Sequence, residues 1–444
     1  MSISRYEGYK ESGLPWLREI PSHWDTIQSR RLFSLRKEKA TPNDRQLTAS
    51  QKHGVIYQDD YMAQEGQRVV QVLIGADLLK HVEPNDFVIS MRSFQGGIEW
   101  CALRGSISSA YVMLIPAESV HVKFFSYLFK CRPYIQALQS TSNLVRDGQA
   151  LRYENFTLID LPVIPYSEQQ AIAEFLSHET TKIDALIAEQ EHLIELLNEK
   201  RQAVISQAVT KGLNHAASMK DSGVEWMGRV PAHWDVGPLK HAFSSVDYGI
   251  SDSLEASGEV AVLRMGNIGG GKVIMDDFKY VDSVDVGLLL KEGDLLYNRT
   301  NSLDLIGKVG LFAGGGHARV TFASYLVRLR TSADCVPGYF GYMLNTVGML
   351  GAARANAIVA IGQCNLNPTR YGALIVAIPP QSEQRDILAF LDEQTSKLDT
   401  LVAEAKSAVS LLLERRSALI SAAVTGKIDV RDSVVVQMGE AVAE

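Results

Sequence analysis

Side chains able to hydrogen-bond the edges of nucleic-acid bases collect in a few short stretches of this chain. Met91-Arg92-Ser93-Phe94-Gln95-Gly96-Gly97 places Arg92, Ser93 and Gln95 on a glycine-flexed loop behind an apolar run. Arginine forks onto guanine O6 and N7, and glutamine onto adenine N6 and N7. A second apolar run leads into Tyr297-Asn298-Arg299-Thr300-Asn301-Ser302, which offers Arg299 and Asn301. Further loop candidates are Gln51 and Lys52 in Ser50-Gln51-Lys52-His53-Gly54, Tyr248 and Ser251 in Tyr248-Gly249-Ile250-Ser251, and Arg264 and Asn267 beside a glycine cluster. Arg30, Arg31 and Lys37 belong to a basic stretch and suit phosphate oxygens better than bases.

Other chemistries fit less well. Gly266-Asn267-Ile268-Gly269-Gly270-Gly271-Lys272 resembles the front of a phosphate-binding loop, but Val273 stands where a metal-binding hydroxyl is needed. A glycine turn between strands is the expected reading. Asn367-Pro368-Thr369-Arg370-Tyr371 echoes an amino-methyltransferase signature without its second proline, and reads as a turn before Leu374-Ile375-Val376. The ten histidines show no metal-ligand spacing. Cys101, Cys131, Cys335 and Cys364 are far apart and form no CxxC pair, so packing roles and a reducing compartment are expected.

The elements that must carry these loops occur twice. Tyr9-Lys10-Glu11-Ser12-Gly13-Leu14-Pro15-Trp16 returns as Met219-Lys220-Asp221-Ser222-Gly223-Val224-Glu225-Trp226, a shift of 210 residues. Ile20-Pro21-Ser22-His23-Trp24-Asp25 returns as Val230-Pro231-Ala232-His233-Trp234-Asp235, and His23 and His233 are read as packing or hinge features. Pro165-Tyr166-Ser167-Glu168-Gln169-Gln170 returns as Pro380-Gln381-Ser382-Glu383-Gln384-Arg385, now shifted by 215. Gly148-Gln149 likewise matches Gly362-Gln363. A period this long is a duplicated domain, because solenoid units run roughly 20–50 residues.

Each repeat opens with about 150 mixed residues. Asp86–Ser90, Val260–Arg264 and Gly293–Tyr297 read as strands, and Val122–Leu138 and Gly338–Ala355 as helices. This is an α+β domain whose strand order the sequence does not disclose. A long helix follows, expected to be capped by Ser167-Glu168 in one copy and Ser382-Glu383 in the other. Ile172, Leu176, Ile183, Leu186, Leu193, Leu197, Val204 and Ala208 form a heptad seam, mirrored by Ile387, Leu391, Leu398, Leu401, Ala408, Leu412, Leu419 and Ala423. Two antiparallel helices paired as a coiled coil, with a pseudo-two-fold relation between the repeats, are the economical arrangement. The domains expected are 1–165 and 214–379, with helices 166–213 and 380–427 and a tail 428–444.

The net charge of −7 opposes strong nucleic-acid binding by the chain alone. The acidity is local, however. Residues 166–218 hold 4 Lys+Arg against 8 Asp+Glu, while residues 1–165 hold 19 against 17. Local field governs steering more than net charge does. The polar stretch Met1–Gly13 and the absence of an 18-residue apolar run point to a cytoplasmic protein with no membrane span.

The Lys-x-Ser-Gly…Trp…Ile/Val-Pro-x-His-Trp openings, the Pro-x-Ser-Glu-Gln helix starts, and the helix ends Ile205–Thr210 and Ile420–Thr425 together resemble the specificity subunits of type I restriction–modification enzymes. The resemblance implies two target-recognition domains, each reading one half of a split site in double-stranded DNA. It implies helices that set the spacing and dock two modification (methyltransferase) subunits, which restriction subunits then join. This chain would then be a non-catalytic subunit without a cofactor, and S-adenosylmethionine, ATP and Mg²⁺ would belong to its partners. The alternatives are a stand-alone nucleic-acid methyltransferase or nuclease, or an assembly scaffold that binds no DNA.

Overall fold

A computed structural model describes residues 4–66, 78–141, 151–315, 319–360 and 362–432. Gly148-Gln149 and the tail beyond Asp432 lie outside the described residues. The chain divides into two compact units. One joins Met1–Gln190 to Ser407–Glu444, and the other spans Glu191–Lys406. The cuts fall inside both long helices, so each unit holds a globular domain, the start of the helix that follows it, and the end of the other helix.

In the first unit, a four-stranded antiparallel sheet runs in the order Phe33–Leu35, Val112–Pro116, Phe87–Ile89, Glu99–Trp100. Phe87, Val88 and Ile89 are all buried, as a continuous apolar run requires of a strand covered on both faces. Phe33 meets Phe87, Phe125, Phe129 and Phe156 with ring centroids 5.2–5.7 Å apart. The second unit repeats the frame. Phe243–Tyr248, Leu326–Thr331 and Leu295–Asn298 follow one another in that order and continue through Val309–Leu311 to the hairpin Ile268–Gly269/Lys272–Val273. The glycine run at 269–271 thus makes a turn between strands. Val260–Leu263, with Lys279–Val281 and Val320–Phe322, adds a separate three-stranded sheet.

One Asp holds a matching corner in each frame. Asp86 Oδ2 accepts from the Glu83 N–H at 2.9 Å, and Asp294 Oδ2 from the Lys291 N–H at 2.9 Å. Each Asp also takes a two-point arginine pair, from Arg36 and from Arg330.

The two expected domain helices are each broken into a pair. Val122–Leu128 is followed by Arg132–Ser140, and Pro337–Met343 by Val347–Ala355. Pro133 at the start of the second helix of the first pair lacks the N–H that an unbroken helix would use.

The central helix spans Tyr166–Lys211 and the C-terminal helix Gln381–Val424, 46 and 44 residues, roughly 70 Å each at 1.5 Å per residue. They are antiparallel within each unit. In the first, Ile172 and Leu176 share a core with Ile420, Ala423 and Val424, while Asp184, further up, meets Arg416 at 2.9 Å. In the second, Ile205 and Val209 share a core with Ile387 and Leu391, and Arg201 meets Asp399 at 3.2 Å. The seam is buried at Ile172, Leu176, Ile183 and Leu197 of one helix and at Ile387, Leu391 and Leu398 of the other. Leu186, Leu193 and Leu401 remain 41–47% exposed.

The capping expectation is corrected as well. Both helices begin one residue before the serine, and the Pro165 carbonyl accepts from the Glu168 and Gln169 N–H groups. Glu168 and Gln169 have other work. Glu168 is buried and accepts from Tyr6 Oη at 2.7 Å and Trp24 Nε1 at 2.9 Å, and His23 Nε2 lies 2.8 Å from its second oxygen. Burial and the Glu168 contact push the Tyr6 hydroxyl pKa well up. In the second unit, Glu383 takes Trp234 Nε1 at 3.0 Å and His233 Nε2 at 2.8 Å. Gln169 and Gln384 bond the backbone entering the domain's helical pair, at His121 and Val336.

The repeated Pro-x-His-Trp block also receives the end of the other helix. Gly426, at φ +71°, lies so close to Pro21 and Trp24 that a Cβ would fall 2.4 Å from the proline ring. Gly212, at φ +68°, holds the matching place against Trp234 and Glu383. Only glycine joins that backbone to that approach at low cost.

Candidate nucleic-acid interface

In the first unit, the strands Leu47–Ser50 and Gly54–Tyr57 form a hairpin whose turn carries Gln51 and Lys52. The strand Phe87–Ile89 ends in a bend that carries Arg92. The two tips meet over a cavity of about 710 Å³, lined by Gln51, Lys52, Tyr61, Arg92, Phe94, Glu99 and Tyr111. Arg92 and Gln51 are exposed at its mouth. Burial pushes the Tyr111 hydroxyl pKa up, and the nearby Arg92 charge opposes the shift. Glu99 is buried in the lining, 2.6 Å from Lys130, and burial raises its carboxyl above the usual range against that lysine's pull.

The other expected readers of this unit divide. Gln95 is exposed on the same bend. Ser93 is turned inward: it is fully buried, and its hydroxyl accepts from the Ser90 N–H at 2.8 Å. It shapes the bend and presents nothing to a base. Lys52 is exposed but paired with Glu65 at 2.7 Å. The basic stretch also divides. Arg36 pairs with Asp86 and Glu38, and Arg45 with Asp59 and Asp60. Arg30, Arg31 and Lys37 stay exposed, with Arg30 Nε donating to Gln28.

In the second unit, Arg299 sits at the exit of the strand Leu295–Asn298. Its guanidinium lies 5.0 Å over the Tyr248 ring and donates to the Ser324 carbonyl at 3.2 Å. The backbone pair Thr300–Asn301 joins strand Gln363–Asn365. Asn301 is half-buried, and its side-chain oxygen accepts from the Ser302 N–H. Tyr325, whose carbonyl accepts from the Arg299 N–H, is 47% exposed beside them. Ser251 is exposed one bend away. Asn267 is corrected like Ser93. It is 3% exposed, accepts from the Arg264 N–H at 2.8 Å and donates to the Ile274 and Asp276 carbonyls, so it clamps the glycine hairpin. Arg264 bonds Asp277 at 2.7 Å.

The structure therefore gathers Gln51, Lys52 and Arg92 in one unit and Tyr248, Arg299 and Asn301 in the other. The expectation missed Tyr61, Glu99, Tyr111 and Tyr325. Nothing in the local sequence marks them, because they join the clusters through folding. The four cysteines are free thiols, and burial pushes Cys101 up to about 11 and Cys131 to about 12. Among the described residues, no group of three or more His, Cys, Asp or Glu could hold a metal ion, and no helix is long and apolar enough to cross a membrane.

Comparison with known proteins adds a likeness. The chain is 23% identical over 376 residues to the type I restriction enzyme EcoKI specificity subunit of Escherichia coli (strain K12), covering 80% of this chain and 78% of that one. It is 23% identical over 375 residues to the StySPI specificity subunit of Salmonella potsdam, with the same coverage of both. Both relatives are specificity subunits of type I restriction enzymes, and the likeness runs over most of the chain. The chain shares its fold with a chain solved in work on complex assembly and conformational transition of the type I R-M system. The TM-score is 0.62 at 13% identity, over 91% of this chain and 98% of that one. No protein-family model matches the chain.

Proposed function

We propose that this chain is the sequence-reading subunit of a type I restriction–modification complex, with each domain reading one half of a split DNA site. The observation that carries this reading is a contrast within a shared frame. Matching strands and matching Asp corners hold Gln51, Lys52 and Arg92 in one domain and Tyr248, Arg299 and Asn301 in the other. A protein that reads two different half-sites needs a constant frame with different tips. Arg30, Arg31 and Lys37 serve as phosphate contacts, which fix register without carrying sequence information.

In this reading the chain is not itself a catalyst. The long helices set the distance between the half-sites and dock two modification subunits, with restriction subunits joining them. S-adenosylmethionine, ATP and Mg²⁺ are bound by those partners, and the complex works in the cytoplasm. Relatives that are subunits of type I restriction enzymes support such an assembly.

The test is co-expression with the cognate modification subunit, followed by single-molecule sequencing of methylated adenines. The expected result is one split motif with a fixed gap. An intact complex that methylates nothing refutes the reading. Deleting one heptad from each of the paired helices shortens them by about 10 Å. The gap should then shrink by about three base pairs at 3.4 Å each, with both half-sites unchanged. An unchanged gap would show that the helices do not set the spacing.

A further inference from the structure

The second domain carries a β-ribbon whose outer strand its fold leaves uncovered. Strand Ile358–Ala360 pairs antiparallel with Gln363–Asn365, which pairs in turn with Thr300–Asn301. Ile358–Ala360 is the outer strand of this three-stranded sheet. Successive side chains on a strand point to opposite faces. Ile358 is nevertheless 50% exposed and Val359 71%. Neither face of the outer strand is packed at these residues, so β-branched apolar groups stand in solvent on both sides. Proteins ordinarily blunt such an edge with charge, proline or a cover, because it invites association. Here the edge is left bare.

The charges around the ribbon's root indicate what covers it. Seven arginines lie between residues 236 and 378. Arg264, Arg319, Arg328 and Arg330 are each paired with a carboxylate. Arg299, Arg354 and Arg370 form no ion pair among the described residues, and each donates to a backbone carbonyl instead: Ser324, Asp304 and Asn356 respectively. All three border the ribbon. Asn356 lies two residues before it, Arg354 lies in the last turn of the helix that leads into it, and the Arg299 carbonyl accepts from the Leu366 N–H just beyond it. The Nε–H groups of Arg299 and Arg354 are buried without a hydrogen-bond partner. The domain thus neutralises its arginines elsewhere and keeps three arginine charges unneutralised around one bare apolar strand.

We infer that the ribbon of strands Ile358–Ala360 and Gln363–Asn365 enters a groove of the DNA, with Ile358 and Val359 against thymine methyl groups and Arg354 and Arg370 on the flanking phosphates. A two-stranded ribbon fits the major groove, where the thymine methyl is the one apolar feature of the base edges. A protein partner would suit the apolar tip but gives no reason for the unneutralised arginine ring. This inference rests on the DNA-reading role proposed above and adds the element, the groove and the base.

The experiment uses the full chain with its modification subunit. Wild type and an Ile358→Ser/Val359→Ser double variant are compared by methylation sequencing and by affinity for duplexes bearing the wild-type motif. Both positions are exposed, so an unchanged unfolding midpoint is the control. The variant should lose stringency in one half of the motif only, and bind that duplex about five- to tenfold more weakly. Replacing thymine by uracil in that half should weaken the wild type alike and leave the variant unaffected. Arg354→Gln and Arg370→Gln should weaken binding to all sequences, and each should lower the slope of log affinity against log salt by about 0.9.

The inference is overturned by a variant with unchanged motif and affinity, by a half-site without thymine, or by a uracil duplex bound as tightly as the thymine one. Loss of the modification subunit from the variant's complex would make the ribbon a protein contact and overturn it too. Wild type that methylates no motif and retains no DNA would instead fail the broader reading.

Discussion

The two reading clusters share a frame and differ in how they handle charge. In the first unit Lys52 at the cavity is answered by Glu65, and Lys130 behind it by Glu99, while Arg92 forms no ion pair among the described residues. In the second, Arg299 is held on a tyrosine face and a carbonyl, with no carboxylate to compete for it. A salt-bridged cation must give up its partner before it can contact DNA, whereas one parked on a carbonyl keeps its full charge. The first cluster is a shaped cavity and the second a charged, aromatic ridge. The scaffold recurs in both copies, and the side chains at the tips differ.

The largest expected effect tests the shared part. Glu168→Ala leaves the Tyr6, His23 and Trp24 donors without their buried acceptor, and should destabilise the first unit by about 3 kcal/mol or more. Glu383→Ala removes the acceptor of two donors at a more open position and should cost about half as much. Denaturant unfolding of the two variants measures this directly, and equal losses would mean the clamps are energetically alike.

Next come the tips. Arg92→Ala and Arg299→Ala should each relax base preference in one half-site only, at about 1–3 kcal/mol per lost contact. A recognition sequence unchanged in both variants would remove arginine from the reading chemistry. Ser93→Ala and Asn267→Ala make a smaller, opposite test. Each should cost about 1–2 kcal/mol of stability through lost buried hydrogen bonds, with the methylated motif unaltered. An altered motif with unchanged stability would return them to the reading set.

The smallest effect is specific to the first unit. His81 is buried between Asp44 and Glu83, at 2.7 and 2.8 Å. Burial works against its charge, but the hydrogen bonds to Glu83 and Asp44 outweigh it and hold His81 above its ordinary value. A raised folded pKa stabilises fully below the unfolded value, about 6.5, and that stability is lost as pH rises through the folded one. Unfolding midpoints should therefore fall from pH 6 to pH 8 in the wild type and fall less in His81→Gln. Identical profiles would show that this histidine does not contribute.

Part of this architecture is written locally. The doubled Lys-x-Ser-Gly, Pro-x-His-Trp and Ser-Glu-Gln blocks declare a duplicated domain with a long helix after each copy, because helix periodicity and repeat spacing are properties of nearby residues. Arg92 and Arg299 were legible as loop residues behind apolar runs for the same reason. What the repeated blocks are for was not legible. The His-Trp pair and the helix-start Glu lie 144 or more residues apart, and each clamp also receives a glycine from the far end of the other helix.

Ser93 and Asn267 show the limit from the other side. A polar residue in a glycine-rich loop looks alike whether it faces solvent or pins a bend, and only the packing around it chooses. The same holds for charge. The sequence by itself determined that the chain carries arginines in these loops. The tertiary structure decided which of them meet a carboxylate and which are left for a ligand, because a carboxylate neutralises an arginine only at contact distance, and contact between residues far apart in sequence is set by the fold.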